Sequence, residues 1–480
     1  MKTIKTIFVI IICIWNISCF AYELPDLGDY STTVFTSKEE QKIGKEFMRE
    51  VQNNMSLCSD PLISDYIQTL GGKLLKQTSA KKQHYHFFVV NDSNINAFSG
   101  PAGYIGVNTG TIVATRSESE LAAVLAHEIA HSTQHHIERM IQQQKGMLIP
   151  ETVVMAAAIL AGVTAGGGAA NAVSGAATAM AAGSAQHSIN YTREMEAEAD
   201  SIGIKILYKA GFDPNAMSGF FSRMQHLNYD YDDDAPAFLI DHPLTNKRIA
   251  DSTGRAVNFP KTSVITNPDY YFIRARTQCL AAKNDSSTIN FFKTERNNGQ
   301  HTNAVQYGYA MALLQAHKYQ TAEDVINKLT SLSPNLVLPS MLAAEIQLAN
   351  KKTNAAITSL QNLLAKYPYF YPLVLQYAQT LIKAGRWQLA TEFLRNKSIH
   401  YLDDAEIYRL LADAEAKSGH KADAYMAQAK FYAIAGYNRQ AIILLQQALR
   451  LSNLSFNNKT IIEARINNLK QIELASRSGA

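Results

Sequence analysis

The sequence predicts a mainly α chain in two parts: an α+β domain with a small β-sheet, followed by an α-solenoid. Three observations carry that prediction. Small residues recur every 34 positions beyond about residue 300. In the first half, apolar residues at helical spacing flank one β-branched and aromatic run, Tyr85 to Val90. Between these features lies an alanine-rich stretch, Leu121 to Ala130, that is apolar except for His127 and Glu128.

At 480 residues the chain exceeds one ordinary domain. With 47% apolar and only 18% charged residues it is expected to fold and not to serve as a disordered scaffold. A formal charge of +4, with no basic run, argues against nucleic acid as a partner.

Residues 1–21 read as an export signal. Lys2 and Lys5 precede a short apolar stretch from Ile7 to Trp15, and Cys19-Phe20-Ala21 places small residues where signal peptidase cuts. Export implies an oxidising compartment, where Cys58 and Cys279 either form one disulfide or stay apart as buried thiols.

Residues 22–265 make the first domain. Lys38 to Asn53 puts Ile43, Phe47 and Val51 on one helix face, and Ser59-Asp60 opens a second helix, Pro61 to Leu75. Tyr85 to Val90 is a strand. Asn96-Ala97-Phe98 and Tyr104-Ile105-Gly106-Val107 read as further short strands around a turn, with Pro101 limiting their pairing. One long helix is expected from Ser117 to Gln144.

That helix carries His127-Glu128-Ile129-Ala130-His131. Side chains four apart leave the same face of a helix, so both imidazoles can meet one metal ion. Glu128 then reaches a water in the ion's open position and can take its proton as the water attacks a peptide carbonyl. The expectation is a zincin-type metalloprotease domain with one Zn2+ per chain. His135 and His136, past the second ligand on the same helix, are not expected to bind the ion. The missing ligand is sought in the acidic helix Arg193 to Asp200. Glu196 and Asp200 share one face of it, Glu194 and Glu198 another, and spacing does not choose between the pairs.

Residues 152–192 are 41 positions without Asp, Glu, Lys or Arg. Their Ala and Gly content predicts a soluble helical hairpin, with a pair of membrane spans as the alternative. Tyr229 to Asp234 reads as an acidic, solvated loop. Residues 266–299 connect to a tetratricopeptide-repeat domain at 300–480. There Ala310, Ala344, Ala378 and Ala412 keep the 34-residue step, as do Ala322, Ala356, Ala390 and Ala424, Pro334 and Pro368, and Gly385 and Gly419. Ala429 and Ala441 fall half a repeat later, so Lys421 to Ala435 is read as one helix shared by two units. Such a solenoid offers a concave surface to other proteins.

HEIAH, the later EAEAD (Glu196 to Asp200) and DHPLTNKRI (Asp241 to Ile249) together resemble the BepA/HtpX-type zinc metalloproteases, most closely the periplasmic BepA branch. The resemblance implies Glu196 as third ligand, Asp200 as supporting acid and His242 as a fourth ligand that holds the site latent. It implies Arg248 on the substrate side or at the developing oxyanion, and Asn96 in an edge strand that pairs with substrate. It also implies a periplasmic protein peripheral to the outer membrane, with misassembled outer-membrane β-barrel proteins as substrates. The repeats would dock on the barrel-assembly machinery, and a chaperone-like role would accompany proteolysis. Two alternatives stand beside this reading: an integral membrane quality-control protease of HtpX type, and a non-proteolytic assembly chaperone with structural zinc. Glu128 argues against the second, since a structural site needs no base.

Overall fold

In the computed structural model, which describes residues 36–80, 84–143, 193–230, 237–260, 266–299, 302–451 and 454–478 with positions 160 and 264, the first helices begin where the sequence supplies caps. Helix α1 (Ser37–Asn54) opens on a reciprocal pair: Thr36 Oγ1 accepts the Glu39 N–H, and the Glu39 carboxylate accepts the Thr36 N–H. Its buried face is Ile43, Phe47 and Val51, as the spacing requires. Asp60 accepts the N–H groups of Leu62 and Ile63 to start α2 (Pro61–Leu75), with proline at the first helical position. The expected export signal, the uncharged stretch 152–192 apart from Leu160 and most of the acidic loop lie outside the described residues. Among the described residues, no helix is long and apolar enough to cross a membrane.

Among the described residues the sheet has three strands in the order β1-β3-β2. Strand β1 (His86–Val90) runs parallel to β3 (Tyr104–Asn108), and β2 (Ala97–Ser99) pairs antiparallel along the other side of β3. Pro101 opens a 3-10 turn, Pro101–Gly103, which holds the edge strand β2 to three residues.

After the short α3 (Thr109–Ala114), the continuous helix expected over 117–144 is two helices, α4 (Glu118–Thr133) and α5 (His136–Gln143). His135 between them has φ +52°, a left-handed conformation that a helix cannot propagate through. The apolar run ends at Ala130, and the Ser-Thr-Gln that follows has no core face to extend. Helices α6 (Arg193–Lys209), α7 (Asn215–Asp230), α8 (Ala237–Asp241) and α9 (Asn246–Val257) complete the domain. Gly203 lets α6 lie close along α4: a Cβ there would sit 3.4 Å from the Ala126 backbone and 2.9 Å from the Met217 methyl.

Residues 266–299 form α10 (Asp269–Ala281) and α11 (Asp285–Asn298). Helix α10 packs on α2 and α3, and Arg276 pairs with Asp60 at 2.7 Å and with Glu345 of the repeats at 3.5 Å. The repeat helices follow: α12 (Thr302–Gln315), α13 (Tyr319–Leu332), α14 (Val337–Ala349), α15 (Thr353–Lys366), α16 (Tyr371–Lys383), α17 (Trp387–Ser398), α18 (Ala405–Lys417), α19 (Lys421–Ile434), α20 (Asn438–Leu449) and α21 (Phe456–Ser478). The alanines at 310, 344 and 378, and at 322, 356 and 390, are fully buried between helices. Helix α19 packs on both α18 and α20, and the core divides there: Ala427 belongs to the large cluster that begins at Leu62, Ala429 and Ala441 to a separate C-terminal one.

The repeat also imposes a backbone rule. His317, Lys351, Gly385 and Gly419, each 34 apart, all have positive φ, from +57° to +85°. Only two are glycine. Lys351→Gly should therefore stabilise the repeats by about 1 kcal/mol, read as a higher midpoint in urea denaturation.

Among the described residues Cys58 and Cys279 are free thiols. Burial pushes the Cys279 thiol up to about 12, the nearby Arg276 offsetting part of this. At pH 8 Cys279 should resist iodoacetamide in the native chain and react fully in denaturant, as counted by mass spectrometry.

Candidate metal centre

Helix α4 is buried on every side from Glu118 to His131, so its two histidines stand in the core and not on a surface. Close contact with α6 sets Glu196 and Asp200 of its buried face against them. Four donor atoms converge: Nε2 of His127, Nε2 of His131, Oε1 of Glu196 and Nδ1 of His242. The two Nε2 atoms are 3.0 Å apart, His127 Nε2 and His242 Nδ1 are 3.4 Å apart, and Glu196 Oε1 lies 3.3 Å from His131 and 2.9 Å from His242.

A tetrahedral ion with bonds near 2.0 Å has edges of about 3.3 Å. The residues present fit such an ion. Glu128 supplies a second sign: among the described residues both its carboxylate oxygens are buried without a hydrogen-bond partner, and His242 Nε2 lies 3.5 Å from its Oε1. An ionised carboxylate in that position is costly unless a cation or a proton-bearing group faces it. Burial raises its pKa, with His242 and His127 pulling the other way.

Behind the donors stands a ring of supports. Asp200 Oδ1 is 3.1 Å from His127 Nδ1. Arg248 grips Asp200 with two hydrogen bonds, 2.8 and 2.9 Å, reaches Glu196 Oε2 at 2.7 Å and lies over the Phe221 ring. Burial works against ionisation of both acids, yet Glu196 is held well down by His242 and His131, and Asp200 is lowered by Arg248 and His127. Burial alone would depress His127, but Asp200 and Glu196 outweigh it and lift it to about 10. His131 goes the other way, pushed well down by burial.

Not every sequence candidate meets the centre. Arg248 faces the two carboxylates. Asn96 is buried outside the donor group; its Nδ2 donates to Asp241 Oδ2 at 2.9 Å, beside His242. Glu194 is exposed, and Glu198 turns toward α5. His136 is the residue that sequence reasoning set aside. Its Nδ1 lies 2.9 Å from His131 Nδ1 and its Nε2 3.3 Å from Glu198, which also accepts from Arg139. On a continuous helix, positions five apart point about 140° away from each other. The break at His135 brings them together.

Peptidase family M48 matches residues 61–256, and a tetratricopeptide repeat family matches residues 347–414. The beta-barrel assembly-enhancing protease of Escherichia coli is 32% identical over 94% of this chain and 92% of its own length. The chain belongs to that family. The protein of the same name from Yersinia pestis is 30% identical, again over 94% of this chain and 92% of its own. Mitochondrial metalloendopeptidase OMA1 of Schizosaccharomyces pombe is 28% identical over 45% of this chain and 59% of its own. The chain is therefore a metallopeptidase with appended repeats, and its cofactor is a metal ion.

His136→Ala should weaken metal binding by about 10- to 100-fold through the freed His131 ring, measured by competition against a chelator. Unchanged affinity would remove His136 from the support of the site.

Proposed function

We propose that this chain is a zinc-dependent endopeptidase in which His127, His131 and Glu196 hold the ion and Glu128 is the general base. The observation that carries the reading is the buried, unbonded Glu128 carboxylate beside four converging donors. Zinc held there supplies Lewis acidity toward water and the peptide carbonyl. Glu128 takes the proton of the attacking water and passes it to the leaving amine, its burial raising its affinity for that proton. Asp200 orients His127, and we assign Arg248 to positioning as well, because both its ion pairs go to carboxylates of the site.

His242 is the fourth ligand of a latent state in this reading. Its ring fills the space between Glu196 and Glu128, so it has to move before a substrate carbonyl can enter. Asn96 joins the chain before β2 to Asp241, which couples the edge strand, where an extended substrate would pair, to the segment carrying His242.

The names of the relatives support barrel assembly as the setting. Export to the periplasm, peripheral association with the outer membrane, misassembled β-barrel proteins as substrates, docking of the repeats on the assembly machinery and a chaperone-like activity complete the proposal.

Glu128→Gln should lower casein cleavage by roughly 100- to 10,000-fold while the zinc content stays at one ion per chain. His242→Ala should raise cleavage severalfold. Undiminished cleavage by Glu128→Gln would overturn the mechanism.

A further inference from the structure

A second cluster of donors lies at the corner between α4 and α5. His135, the residue with φ +52°, stands there with Glu138 of α5 and Glu40 of α1. One donor atom from each lies within 4.8 Å of the other two, and His135 Nδ1 is 3.9 Å from Glu138 Oε2. Glu138 is 8% exposed, and among the described residues its carboxylate takes no hydrogen bond from another residue's side chain. It points at Glu40, a second negative charge. Burial first, and Glu40 after it, push the Glu138 carboxyl up to about 7, with its own backbone N–H offsetting part of this.

Two carboxylates brought together with one of them buried are stabilised by a cation between them, or else one must stay protonated. We propose that Glu40, His135 and Glu138 form a second metal site, which takes a divalent ion of the manganese class with water in the remaining positions.

The 3.9 Å between His135 Nδ1 and Glu138 Oε2 leaves room for an ion between the donors once the side chains close on it. The imidazole favours a first-row transition ion over calcium or magnesium, which take oxygen alone, and the two carboxylates with water suit manganese among that row. The two carboxylate charges balance the ion. Its place in the fold gives it a consequence: it ties α1 to His135, and the turn at His135 is what brings His136 behind His131.

The test uses the full chain with its catalytic zinc in place, titrated with Mn2+ while the free-ion electron paramagnetic resonance signal is followed. Glu138→Gln removes a buried charge and so tolerates folding; Glu40→Gln changes a half-buried position on another helix. One saturable Mn2+ per chain, lost in both variants while zinc content and circular dichroism are unchanged, is the expected result. A rise in melting temperature with Mn2+ should appear in the parent chain and vanish in the variants. No uptake by the parent chain, or equal uptake by all three, would overturn the site.

Discussion

The charge balance behind HEIAH is the constraint on which the rest of the protease domain depends. Glu128, Glu196 and Asp200 are all at most 2% exposed, and the buried guanidinium facing them is Arg248. Among these four groups, three negative charges against one positive leave two uncompensated. In the proposed reading a divalent ion would supply that difference, with the imidazoles as neutral nitrogen donors around it. Without an ion the same need falls on protons, which is why His127 and His242 are raised above the ordinary imidazole range despite complete burial. Alanines along α4, with Gly203 opposite, let the helices come close enough for this arrangement.

Much of this was legible in the sequence, because its signals were local. HEIAH brings two imidazoles and a carboxylate together by helix geometry alone, and alanines 34 apart define the repeats. The choice between Glu196 with Asp200 and Glu194 with Glu198 was not legible, since both pairs share a spacing. It depends on which face of α6 packs on α4, a tertiary fact. His136 was hidden for a different reason: a left-handed residue at His135 carries no glycine to announce it. His317 and Lys351 escaped notice in the same way, although Gly385 and Gly419 occupy the same repeat position. Arg248 and Asn96 carried a family expectation of substrate contact, and the structure shows each engaged with a carboxylate beside the centre.

The two halves share one apolar core. Helix α10 passes from α2 and α3 to the first repeat helix, and buried Arg276 ties Asp60 to Glu345 across the junction. Asp60 also caps α2, so one carboxylate serves both the start of a protease helix and the seam with the repeats. A cleft of about 1390 Å³ opens along that seam, lined by charged residues that include Asp65, Lys283, Lys383 and Arg409. A partner gripping the repeats would press on the same helices that frame the sheet.

The identity of the third protein ligand tests the account most directly. Zinc retained after exhaustive dialysis, measured by mass spectrometry of the metal, should fall to near zero in Glu196→Ala and stay at one per chain in Glu194→Ala and Glu198→Ala. Full retention by Glu196→Ala, with loss in either of the other two, would contradict the site described here.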